Sequence, residues 1–109
     1  MNRWFLPILL LTGCHGDANR FEVDAPDAIS AQLQLCGQRI GLVRNGRSFI
    51  MSTAARCEGQ GVIVVRFPRG RVAICAIDHV EPGVARRFAF AISGDECMPV
   101  GILNPRRSP

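Results

Sequence analysis

Residues 62–77 read Val-Ile-Val-Val-Arg-Phe-Pro-Arg-Gly-Arg-Val-Ala-Ile-Cys-Ala-Ile. Val62 to Val65 form an unbroken β-branched run, the composition of a central strand covered on both faces. Pro68-Arg69-Gly70 then turns the chain, because proline fixes a negative φ and glycine accepts a positive one. Arg71-Val72-Ala73-Ile74-Cys75-Ala76-Ile77 returns as a second strand. Two apolar runs joined by so short a turn predict a β-hairpin, and this hairpin sets the fold class.

The same grammar extends in both directions. Upstream, Ile40 to Arg44 and Arg47 to Ser52 flank Asn45-Gly46, which predicts a type I′ hairpin because both turn residues tolerate positive φ. Gln32-Leu33-Gln34-Leu35 alternates with period two and sets Leu33 and Leu35 on one face. Ile29 and Leu33 lie four apart, so a helix over residues 27–35 is the competing reading there. Phe21-Glu22-Val23 alternates briefly before a turn at Pro26-Asp27. Downstream, residues 56–61 read as a loop, Pro82-Gly83 as a turn, and Arg87 to Ile92 as the last strand, with Phe88, Phe90 and Ile92 aligned. Ser93-Gly94-Asp95 reads as a further turn. The expected fold is mostly antiparallel β, a small sandwich or partly closed barrel. The alternative is an α+β fold with a short helix near residues 27–35.

The first residues obey different rules. Arg3 supplies a positive charge, and Trp4 to Leu11 is an apolar run of eight residues. As a helix it would span roughly 12 Å, against about 30 Å of hydrocarbon, so it fits a secretory h-region rather than a membrane span. Leu11-Thr12-Gly13-Cys14 follows, and resembles the lipobox of bacterial lipoproteins: a branched apolar residue, two small residues, then cysteine. The resemblance implies a diacylglyceryl group on Cys14, cleavage after Gly13 and a protein anchored to the cell envelope by two or three acyl chains. In a diderm cell, His15 in place of an aspartate after the cysteine implies the periplasmic face of the outer membrane. The competing readings are a secretory peptide cut after Ala18 and a buried strand of a cytosolic protein. The expected organisation is a signal peptide over 1–13, a lipidated tether over 14–20, one β-rich domain over 21–103 and a disordered tail over 104–109.

Five cysteines leave an odd thiol in an exported protein. If Cys14 carries lipid, then Cys36, Cys57, Cys75 and Cys97 remain, about twenty residues apart and without a C-x-x-C pair. Two structural disulfides are expected, each contributing roughly 3 kcal/mol in the chain-entropy model. An up-and-down arrangement would bring Cys36 and the Cys57 loop to one end, favouring Cys36–Cys57 and Cys75–Cys97; the other two connectivities stay open.

All 13 basic residues are arginine, and the formal net charge is +4. Seven of them fall between Gln38 and Arg71 against the single acid Glu58. Alternation places the Arg44-to-Arg47 turn and the Arg66-to-Arg71 turn at one end, so Arg44, Arg47, Arg66, Arg69 and Arg71 form a candidate anion-binding cluster. Its candidate ligands are an envelope protein or an anionic glycan or lipid; export argues against nucleic acid. The competing reading is a solvated hairpin tip.

Enzymatic patterns are weak. His79 sits beside Asp78 and near Glu81, but strand neighbours point to opposite faces, so Asp78 is badly placed to orient it. There is no G-x-S-x-G elbow, Gly-rich phosphate loop or metal-spaced His/Asp/Glu set. The expectation is a non-enzymatic envelope lipoprotein without cofactor or metal, with a small hydrolase using His79 as the least favoured reading.

Overall fold

The computed structural model describes residues 18–100. The signal segment, Cys14 with the first part of its tether, and residues 101–109 lie outside the described residues, as do the readings that rest on them.

Among the described residues, nine strands form two sheets. In chain order they are β1 (Ala18–Asp24), β2 (Ser30–Leu35), β3 (Gln38–Gly41), β4 (Val43–Asn45), β5 (Ser48–Ala54), β6 (Gly59–Arg66), β7 (Val72–Val80), β8 (Arg87–Ser93) and β9 (Glu96–Pro99). One sheet has the order β4-β5-β1-β8-β9 and the other β3-β2-β6-β7. All neighbours are antiparallel except β1 and β8, which run parallel. The sheets do not close into a barrel, so of the two expected architectures the sandwich is the one formed. Residues 30–35 are strand, not helix, because alternation places Ala31, Leu33 and Leu35 in the core.

The core lies between the sheets. Phe21, Val23, Leu33, Ile63, Val65 and Ile77 are fully buried at alternate positions of their strands, and Val80 is fully buried three residues past Ile77. Burying each such side chain stabilises the fold by roughly 1.5–3 kcal/mol. Phe21 stacks on Phe88 of the neighbouring strand with ring centroids 5.2 Å apart.

Four details depart from the sequence reading. First, β1 begins at Ala18, inside the expected tether, because Asn19 is buried and its Oδ1 accepts the Arg86 backbone N–H at 2.9 Å. Second, Ile40 to Arg44 is not one strand. The chain leaves one sheet after Gly41 and joins the other at Val43, with Leu42 buried at the corner and its N–H donated to the Ala31 carbonyl at 2.9 Å. Strands that switch sheets commonly do so at such a bend. Third, the turn after β4 is Gly46-Arg47, closed by the Asn45–Ser48 pair. Gly46 alone has positive φ (67°), the pattern of a type II′ loop rather than type I′. The type I′ pattern instead occurs at Cys36-Gly37, where both residues have positive φ (54° and 72°). Fourth, β6 is central, but among the described residues its outer face has no second layer: Val64 is shielded by in-sheet neighbours Gln32 and Ile74, and Ile74 itself is half exposed.

Both expected disulfides are present, Cys36–Cys57 and Cys75–Cys97. The up-and-down path behind that expectation is not. The chain crosses between sheets four times, and β9, which carries Cys97, follows what was read as the last strand. Cys36–Cys57 ties the β2–β3 turn to the loop before β6, while Cys75–Cys97 ties β7 in one sheet to β9 in the other.

Candidate functional site

The sandwich has two chemically different ends. The β1–β2, β4–β5, β6–β7 and β8–β9 connections share one end, since Asp24 pairs with Ser48, Ser30 with Arg66 and Arg66 with Val72. Both arginine turns therefore do lie at a common end.

The five arginines do not form a bare cationic cluster there. Arg44 donates to the carbonyls of Ala25 and Ala28 and lies 4.3 Å over the Phe49 ring, holding the β1–β2 connection. Arg47 pairs with Asp24 at 3.0 Å. Arg71 pairs with Asp95 at 2.7 Å and stacks 4.6 Å over Phe67. Arg66 and Arg69 are exposed and make no ion pair within the described residues, Arg69 with a positive φ of 66° inside the 3₁₀ turn Pro68–Gly70. Arg47 and Arg71 line one cleft of about 400 Å³ together with Asp24 and Asp27. Two acids face two arginines, which weakens the field an anion would meet. Asp24 and Asp95 escape a local reading because they reach the arginines only through the pairing of β1 with β5 and the β8–β9 turn.

The other end carries the β2–β3 turn, the loop before β6 and the β7–β8 connection, with the Cys36–Cys57 bridge between the first two. His79 lies here, and its neighbour is Glu58, not Asp78: Nε2 of His79 is 3.5 Å from Oε2 of Glu58. Pairing jumps from Gly61–Ile77 to Gly59–Val80, so β7 carries one extra residue in a bulge at Asp78-His79. The bulge breaks the strict alternation used to place these two residues. Glu81 joins them, and one ligand atom from each of Glu58, His79 and Glu81 lies within 4.8 Å of the others. Glu58 is brought to His79 and Glu81 by strand pairing, so no local His/Asp/Glu spacing marks the set.

Among the described residues, no helix is long and apolar enough to cross a membrane. No protein-family model, curated protein or solved structure matches the chain. The described residues form a disulfide-stapled β-sandwich with two chemically different ends.

Proposed function

We propose that the protein is a small lipoprotein of the bacterial envelope, anchored through Cys14, whose stapled sandwich acts as a non-enzymatic binding or structural module. The observation that carries this reading is the pairing of all four domain cysteines with one another. Structural disulfides belong to oxidising compartments. With those sulfurs bonded, Cys14 of the Leu11-Thr12-Gly13-Cys14 box is the remaining cysteine of the sequence.

Anchoring there orients the domain. Ala18 is four residues past Cys14, a link of at most about 14 Å. The arginine turns stand at the far end of β1, a seven-residue strand spanning roughly 23 Å. They would face away from the anchoring leaflet, toward an envelope protein or anionic glycan, rather than toward lipid phosphates beside the anchor.

The test is fractionation and in-cell cross-linking of the wild type and Cys14→Ala. The wild type should sediment with the outer membrane and capture an envelope component, while Cys14→Ala should be released from membranes. Wild type recovered in the cytosol, or Cys14→Ala still membrane-bound, would reject the anchor.

A second reading, anion binding at the arginine-rich end, is supported by Arg47 and Arg71 lining one cleft. A ligand would have to draw them from Asp24 and Asp95. Titration with inorganic polyphosphate at two salt concentrations tests it: salt-sensitive binding lost in Arg47→Gln/Arg71→Gln supports the reading, and binding unchanged by those substitutions rejects it.

A further inference from the structure

From the second end of the sandwich we infer a binding site for a divalent transition-metal cation of the Zn²⁺ class, with Glu58, His79 and Glu81 as its ligands. Register builds the site. His79 and Glu81 are two apart on one chain segment, and Glu58 stands one step beyond the Gly59–Val80 pair, opposite Glu81. One ligand atom from each lies within 4.8 Å of the others, and the His79–Glu58 separation of 3.5 Å already matches two ligands sharing one ion. Bonds of about 2.0–2.2 Å to imidazole nitrogen and carboxylate oxygen at tetrahedral angles place ligand atoms roughly 3.4 Å apart.

Charge supports the same conclusion. Glu22, Asp24 and Asp95 are each matched by arginine, whereas among the described residues Glu58 has only His79 as an ion partner and Glu81, like Asp27, Asp78 and Glu96, has none. Like charges directly opposite each other across a strand pair are destabilising. A dication bound between them removes that repulsion. Arg86 donates to the His79 backbone carbonyl at 2.8 Å and lies 4.9 Å over the Phe88 ring, so it secures the backbone that carries the imidazole.

The frame is held on both sides. Cys57, adjacent to Glu58, is bonded to Cys36, and the Val84 N–H closes a turn onto the Glu81 carbonyl. One imidazole with two carboxylates selects a borderline metal over hard Ca²⁺ or Mg²⁺, which prefer all-oxygen sites. Three protein ligands and an open outer side leave room for water or for a donor from a partner. The site stands whether or not Cys14 carries lipid.

The test is calorimetric titration of the oxidised full-length protein in detergent with ZnCl₂ and, separately, CaCl₂. One Zn²⁺ should bind per chain, with Ca²⁺ failing to compete. His79→Ala, Glu58→Gln and Glu81→Gln should each weaken Zn²⁺ by roughly tenfold or more, since even groups that only orient ligands contribute that much. His15→Ala, which alters the other histidine, should leave the affinity unchanged. Far-UV circular dichroism of each variant checks folding, and the two Gln variants keep side-chain shape. Absence of Zn²⁺ binding, equal binding by His79→Ala, or binding that depends on His79 but on neither glutamate would overturn the three-ligand site.

Discussion

Cys75, 1% exposed on the inner face of β7, is bonded to Cys97 on β9 of the opposite sheet. Each strand is the last in its sheet, so the bond fastens the two layers along one open side. Cys36–Cys57 instead joins two connections at the end of the sandwich, with nearly the same sequence separation, 21 against 22.

Loop-closure entropy therefore makes the two bridges nearly equal, at roughly 3 kcal/mol each. Cys75→Ala/Cys97→Ala should cost more than Cys36→Ala/Cys57→Ala, because it also removes buried sulfur from the core. Urea unfolding of the two double variants measures the difference. Equal midpoints would show that layer fastening adds nothing beyond loop closure.

Gly61 on β6 lies against the end of β2. A Cβ there would sit 2.7 Å from the Gln34 carbonyl oxygen and 2.7 Å from Leu35 Cδ1. The obstruction is partly backbone, so Gly61→Ala should destabilise by about 1–3 kcal/mol, the usual cost of overpacking. Thermal unfolding of this single variant provides the check.

The two faces of the β3-β2-β6-β7 sheet should respond differently to truncation. Leu33→Ala empties a fully buried site and should cost about 2–5 kcal/mol. Ile74→Ala, on the outer face and 52% exposed, should change stability by less than about 1 kcal/mol. A large loss at Ile74 in urea unfolding would mean that a further layer covers that face.

Among the arginines, Arg44 should matter most for folding. Arg44→Gln removes the Arg44 donor from the Ala28 carbonyl and leaves the Ala25 carbonyl with the Ala28 N–H alone, and should cost about 1–2 kcal/mol. Arg69→Gln, exposed and without an ion pair among the described residues, should be close to neutral. Paired denaturation curves separate the two.

The sequence made the local hairpins readable and left the long-range geometry hidden. The Val62-to-Ile77 hairpin, the alternation of Leu33 and Leu35 and the turns at Pro26, Pro82 and Gly94 follow from residue chemistry within a few positions. The sheet switch at Leu42 does not, because an apolar residue between Gly41 and Val43 looks the same in one strand or two. The left-handed backbone of Cys36 is likewise unmarked, since cysteine has no preference for it. Both arginine turns were placed at one end by alternation alone, yet Asp24 and Asp95, which neutralise Arg47 and Arg71, arrive through pairings that no local pattern encodes. The same applies to Glu58, which reaches His79 across a bulged strand pair. The favoured cysteine pairing is the one formed, although it was inferred from an up-and-down path that the chain does not follow.

Intact-mass spectrometry of the protein extracted from its native cells, with thiols blocked before lysis, tests the central claim most directly. The expected species begins at Cys14, carries acyl chains on that residue and lacks four hydrogens for the two bridges among Cys36, Cys57, Cys75 and Cys97. A chain that still begins at Met1, with blocking groups on all five cysteines, would contradict both the anchor and the staples.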